Sequence, residues 1–393
     1  MPIKKILFSA ALIIAVTGLK AQTLLTENEA IAKALNNSRN ASAALLDIQQ
    51  QQQLLKSSVS LPNPQLTWQS PTGSFYTGGV TQSFEFPTVY VKQYQLQKQQ
   101  VRLAQTQKTF TDIQIGYQVR SLYLDIQYTD SLKNQLYIQD TIYSKIAQSA
   151  KRQFDAGQID YLQKTFAETQ YGEVNNQYEQ AKLSFAALIN QLKFITAIRY
   201  NIVIQPLLIN SNFYEKDSAL ISQNSEFLIA KQMENIGLKN LELQRNKALP
   251  GLVFGYLNPA DRDASINKRF QFGLSIPLWF WQYKGNINAA RTQLSAAQER
   301  TSGLQQQVAI QIFQSQKELA VNKQALMYYQ NTGLRKSNEI ITTSKRFLTS
   351  GETDYISYLR NINDAYLIKQ KYLESLRKVN QSIITINYLT GKL

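Results

Sequence analysis

The chain matches itself at an offset of roughly 190 residues, and each matching half sets β-type sequence directly against very long helical sequence. Leu61-Pro62 corresponds to Leu249-Pro250. The stretch from Ser83 to Pro87 corresponds to that from Gly273 to Pro277. Lys151-Arg152, Gly157, Asp160-Tyr161 and Tyr178 correspond to Lys345-Arg346, Gly351, Asp354-Tyr355 and Tyr372. Each half reads as helix, β-hairpin, long helix, tight turn, helix. A duplicated unit of this size argues for pseudo-symmetry around an axis.

The second half shows the junction most clearly. Phe270, Phe272, Leu274 and Ile276 alternate with Gln271, Gly273 and Ser275, the period of a half-buried strand. Pro277 ends the strand because it cannot donate to a ladder. Trp279, Phe280, Trp281, Tyr283 and Lys284 follow, and after Gly285 the texture turns small, Gln-rich and helical. Trp and Tyr favour the membrane–water interface, where an apolar ring and a polar edge are both satisfied. In the first half Leu66 and Trp68 alternate with Gln65, Thr67 and Gln69, and Val80, Phe84 and Phe86 with Thr81, Ser83 and Glu85. Gln82 breaks the apolar pattern. Pro87 closes that strand, and Tyr90 lies just beyond it. These stretches predict a membrane β-barrel that passes directly into a water-borne helical tube, with Trp68, Tyr90, Trp279, Phe280, Trp281 and Tyr283 as its interface belt.

Composition removes whole classes of function. Among 393 residues there is no Cys and no His. Zinc sites of the usual kinds, a Ser-His-Asp triad, a thiol nucleophile and disulfides are therefore excluded. No Gly-rich phosphate loop is present. The acids are scattered along helical sequence, so a carboxylate-dependent hydrolase has no paired-acid site. No enzyme activity and no cofactor is expected. The formal net charge of +15, from 42 basic and 27 acidic residues, is dispersed rather than clustered, which argues against nucleic acid.

Lys4, Lys5 and the apolar run 6–16 predict a signal peptide over residues 1–22, with cleavage near Ala21. No later stretch is apolar enough for a transmembrane helix. An exported chain that uses a membrane without one must use a closed barrel, which points to the outer membrane of a Gram-negative bacterium, with a periplasmic helical portion.

Taken in order, a first repeat is expected over 23–200. It holds a helix 26–58 capped by Thr26 and Glu29, a hairpin within 61–87, a helix 89–154 of roughly 65 residues or about 100 Å, a turn at Gly157 and a helix 160–198. An equatorial linker spans 201–222 and includes a short strand near 202–206. The second repeat, 223–393, holds a helix 226–249, a hairpin within 250–277, a long helix 287–348, a turn at Gly351 and a helix 354–388. The two shorter helices of each half match the long one in summed length. Stacked end to end beside it they would make a slab two helices wide. Four strands cannot close a barrel, whereas three copies supply twelve.

The duplicated layout, the L-P-x-P-x-L stretch at 61–66, the G-L-S-I-P-L-W-F junction at 273–280 and the two Gly turns followed by Asp-Tyr resemble the TolC family of outer-membrane efflux proteins. Y-x-N at 256–258 and K-G-N-I-N-A-A at 284–290 look most like its heavy-metal, CusC/CzcC-like branch. The resemblance covers essentially the whole chain after residue 22. It implies a mainly α, TolC-like trimeric channel-tunnel with a 12-stranded barrel on a periplasmic α-barrel. The homotrimer would serve a tripartite, RND-type efflux system, docking a periplasmic adaptor (membrane fusion protein) that belongs to an inner-membrane pump. Gly157, Asp160, Gly351, Glu352 and Asp354 would form the docking tips. The family's acidic constriction falls here on Ser357 and Arg360, so cation-selective gating of the usual form is not expected. Heavy-metal cations or small toxic compounds are the implied cargo. Without His or Cys the chain has no soft ligand set of its own and would act as a duct. Drug efflux and type I protein secretion are alternative duties for the same duct. An exported coiled-coil fibre explains the long helices but not the proline-bounded strands.

Overall fold

A computed structural model describes residues 23–70, 77–209, 218–258 and 266–392. The expected signal peptide, residues 1–22, lies outside these. So do residues 71–76 and 259–265, which belong to the expected hairpin loops.

The first half runs β1 (Thr23–Leu25), α1 (Glu27–Asn37), α2 (Arg39–Lys56), β2 (Gln65–Gln69), β3 (Thr77–Phe84), α3 (Pro87–Asp155) and α4 (Tyr161–Thr196). The second runs β4 (Ile202–Ile204), α5 (Ser225–Asn246), β5 (Gly251–Asn258), β6 (Phe270–Ser275), α6 (Phe280–Tyr328), α7 (Leu334–Ser350) and α8 (Tyr355–Leu389). Pro87 occupies the first turn of α3, where its missing N–H costs nothing.

Sequence reading and structure differ at three places. The helix expected over 26–58 is two helices. Thr26 and Glu29 form the reciprocal capping box of α1, but Ser38 leaves helical geometry and caps α2 by accepting the Ala41 N–H. The helix expected over 287–348 begins at Phe280 and is interrupted by a π-turn, Tyr329–Gly333. Here Gly333 is needed for space, since a Cβ on it would lie 3.0 Å from the Tyr329 ring and 3.2 Å from Ile368. Finally, β1, an element too short to read from sequence, pairs in parallel with β4, the short strand expected near 202–206.

β2, β3, β5 and β6 form one antiparallel sheet in that order, and β3–β5 joins the two halves. α2 enters β2, β3 leaves into α3, α5 enters β5, and β6 leads into α6. The helices pack in the same order, α2–α3–α5–α6, so each strand continues as a helix of one slab. Side-chain amides clasp all three helix interfaces. Gln97 donates to Gln51 at 2.8 Å, Gln232 to Gln99 at 2.9 Å and Asn240 to Gln293 at 3.3 Å.

Beyond the mid-height of the slab the order becomes α4–α3–α8, with α6 and α7 on the far side of α8. The joints where short helices stack are held by asparagines. Asn37 donates to the Ile195 carbonyl at the end of α4 at 3.0 Å, and Asn224 to the Leu389 carbonyl at the end of α8 at 2.9 Å. Each satisfies an orphan carbonyl of a helix terminus. Tyr123, almost fully buried, donates to the Leu25 carbonyl and accepts from the Gln205 N–H, tying β1 and β4 to α3. The apolar core follows the slab in three clusters, two at mid-height and one toward the Gly turns.

Candidate functional site

Directly opposed residues of a sheet lie on one face. By that rule Leu66, Val80, Tyr256 and Phe270 form one row across all four strands. Gln82, Phe254 and Phe272 form the next, then Phe84, Leu252 and Leu274. Rings stack edge to face along this surface, with Phe84–Phe254 centroids 5.6 Å apart, Phe254–Phe272 5.4 Å and Tyr256–Phe270 5.6 Å. Gln82, the irregularity in the pattern, turns its amide onto the Pro62 carbonyl at 2.6 Å. Leu66 is 82% exposed and Phe272 77%, so this apolar face has no cover among the described residues.

The opposite face carries Gln65, Thr67, Thr81, Ser83, Gln271 and Ser275 with several glycines, and no charged side chain. Val253 and Leu257 are its only large apolar members. A Cβ on Gly251 would lie 2.7 Å from the Phe84 carbonyl, which fixes glycine where the halves meet. Strands of eight residues span about 27 Å, matching the apolar band of roughly 25 Å on membrane barrels.

The expected belt residues mark both ends of this sheet. Trp68 sits near the loop end of β2, paired with Gly78. Tyr90, Phe280, Trp281 and Tyr283 sit at the helical end, in the first turns of α3 and α6, with Trp279 at the cap of α6. Trp279 and Trp281 lie 5.1 Å apart, and both are largely exposed. Tyr90 is half-buried, its hydroxyl accepting the Glu85 N–H at 3.0 Å.

The other end of the slab carries the two turns. Gly157 and Gly351 adopt left-handed conformations, φ 68° and 76°, which favour glycine because no Cβ meets the backbone. Each turn closes with a pair of backbone bonds. Gly157 N–H donates to Phe154 and Gln158 N–H to Gln153; Gly351 N–H donates to Leu348 and Glu352 N–H to Phe347. Asp160 caps α4 by accepting the Gln163 N–H at 2.7 Å, and Asp354 caps α8 by accepting the Ser357 N–H at 2.8 Å. The Ser357 N–H and hydroxyl together hold the Asp354 carboxyl below the usual carboxylate range. Glu352 accepts the Ser350 hydroxyl at 2.7 Å.

Ser357 therefore faces its own cap. Arg360, one turn further along α8, is exposed and without an ion pair among the described residues. The hairpins meet through Ser149 and the Tyr355 hydroxyl at 3.3 Å, above a core containing Tyr143, Tyr358 and Tyr366. The Tyr143 hydroxyl is buried without a hydrogen-bond partner among the described residues, and burial pushes its pKa up. Sequence reasoning did not find this tyrosine core, because its members come from helices far apart in the chain. Among the described residues no group of three metal-ligating acids occurs, and no helix is long and apolar enough to cross a membrane.

An amphipathic sheet with two open edges, continued strand for helix into a two-tipped slab, is the fold of outer-membrane channel proteins. Solved structures share it over nearly the full chain. The CusC channel matches with a TM-score of 0.77 at 13% identity, covering 95% of this chain and 94% of its own. The CmeC outer-membrane channel of Campylobacter jejuni matches at 0.76 and 15%, covering 93% and 85%. The open MtrE outer-membrane channel of Neisseria gonorrhoeae matches at 0.74 and 12%, covering 93% and 89%. No family model matches the chain, and no curated protein sequence does. The resemblance read from the sequence is thus borne out in the fold.

Proposed function

We propose that three copies of this chain close a twelve-stranded barrel in the outer membrane of a Gram-negative bacterium, continuous with a periplasmic helical tunnel, and that the assembly is a passive exit duct of a tripartite efflux system. The observation that carries the reading is the sheet. It has one uncovered apolar face, one uncharged polar face and unpaired outer edges on β2 and β6 among the described residues. An uncovered apolar face of this extent belongs against lipid or protein. A barrel of copies removes both edges and turns the apolar face to lipid and the polar face to a water-filled lumen.

In this reading residues 23–200 and 223–393 are two structural repeats joined by an equatorial segment. Trp68, Tyr90, Trp279, Phe280, Trp281 and Tyr283 anchor the barrel at the two lipid interfaces. Gly157, Asp160, Gly351, Glu352 and Asp354 form the tips that meet a periplasmic adaptor of an inner-membrane pump, and Ser357 and Arg360 narrow the tunnel behind them. The chain performs no chemistry. Heavy-metal cations or small toxic compounds are the cargo, selected by the pump. Deleting the gene tests this. Outer-membrane trimers should disappear, and sensitivity to metal cations or small toxic compounds should rise. Unchanged tolerance to both, with the protein absent from the outer-membrane fraction of the parent, would overturn the proposal.

A further inference from the structure

The helical end of the sheet carries an excess of positive charge. In the stretches that adjoin it, residues 48–64, 85–95, 238–250 and 276–289, six basic side chains stand against two acidic ones. One of the acids, Glu242, is taken up by Lys92 at 2.8 Å and Lys239 at 2.9 Å. Lys56, Arg245, Lys247 and Lys284 have no ion pair among the described residues. Lys56, Arg245 and Lys247 lie at the carbonyl ends of α2 and α5, where a cation complements the helix dipole. Lys284 has no such reason for its place. It stands one turn into α6, whose first turn holds no acid, at the end of the helix that disfavours a cation.

These cations border an uncovered apolar surface. Past β6, Ile276, Leu278, Trp279, Phe280 and Trp281 are each more than half exposed. Lys284 follows Phe280 by four residues and Trp281 by three, so it shares their side of α6. A groove of about 510 Å³ opens beside them at the rim of the sheet. It is lined by Phe84, Ile276, Leu278, Trp279 and Tyr283, and by Lys247 from the end of α5. Glu85 is the one acid that lines it, and among the described residues no ion pair joins it to Lys247.

We infer that this rim selects anionic phospholipid, with the headgroup phosphate held by Lys247 and Lys284 beside the Trp279 and Tyr283 rings, and the acyl chains laid along Ile276, Leu278 and the apolar sheet face. The occupant is a lipid because the cations edge an apolar surface that a soluble anion would leave uncovered. It is anionic because a zwitterionic headgroup would leave their charge unmatched. Lysine stems lie on apolar surface while the ammonium reaches headgroup level, and each basic residue beside a bilayer raises affinity for anionic lipid roughly fivefold. The inference rests on the lipid-facing reading of the sheet above and assigns the lipid class at its helical rim.

Tryptophan supplies the probe. The chain has three, Trp68 at the loop end of the sheet and Trp279 and Trp281 at the helical rim. Trp68→Phe leaves only the rim pair. That protein is reconstituted into liposomes, and quenching by acyl-brominated phosphatidylglycerol is compared with quenching by acyl-brominated phosphatidylcholine. Phosphatidylglycerol should bind at least fivefold more strongly. The preference should fall partway in Lys284→Gln and close to one in Lys247→Gln with Lys284→Gln, and it should shrink in about 1 M NaCl, which screens exposed charges. Lys145→Gln, toward the tips, should keep it in full. Equal quenching by the two lipids, or a preference that survives the double substitution, would overturn the inference and leave the barrel reading standing. Folded protein quenched by neither lipid would overturn both.

Discussion

Asn224 carries two duties with one side chain. Its Oδ1 accepts the Phe227 N–H at 2.9 Å as the cap of α5, while its Nδ2 closes the carbonyl end of α8. Asn224→Ala leaves a buried carbonyl and an amide unsatisfied, so it should cost about 2–3 kcal/mol, read as a lower urea midpoint with unchanged slope. Asp354 makes a pH prediction. Its carboxyl titrates lower in the folded chain than the ordinary value of about 3.9, so the cap stabilises fully above that value and is lost as pH falls through the lower folded pKa. Amide exchange at Ser357 should be steady from neutral pH to about 5 and accelerate beyond the intrinsic trend only below about 4. Steady protection at pH 2 would contradict the cap. At this scale the sequence was legible where partners are close. Thr26 with Glu29, Asp160 and Asp354 all announce caps by spacing. The asparagine clasps were not, because their partners lie 158 and 165 residues away.

The strands were legible as elements because alternation and bounding prolines act locally. Their common face was also implicit, since period two leaves only two ways to orient each strand. That orientation predicts a sharp asymmetry. Phe254→Lys places an ammonium on the apolar face and should cost roughly 2–4 kcal/mol in lipid. Thr81→Lys, on the polar face opposite Gly255, should fold normally and alter ion conduction. Urea titration of the protein in liposomes checks both, and equal destabilisation would contradict the assignment of faces. Helix interruptions were less legible. Nothing before Ser38 resembles a stop signal strong enough to divide α1 from α2, and the π-turn answers to the packing of Gly333 against Ile368 on another helix. Gly333→Val should cost about 1–3 kcal/mol by overpacking, seen as a lowered Tm. No change in Tm would mean that the turn tolerates a side chain.

At the scale of the molecule, the duplication and the matching helix lengths anticipated a slab made of two similar halves. They did not reveal that the halves are joined through β3–β5, through α3–α5 near the sheet and through α3–α8 toward the tips. Those contacts depend on long-range packing that no local period encodes. The central claim is that copies of the slab enclose a continuous water path from the uncharged sheet face to the tips. Single-channel conductance of the purified trimer in planar bilayers tests it most directly. Small, discrete current steps are expected in the wild type, with Arg360→Ala and Ser357→Asp changing their size. A folded trimer with no current in the wild type or in either variant would contradict it.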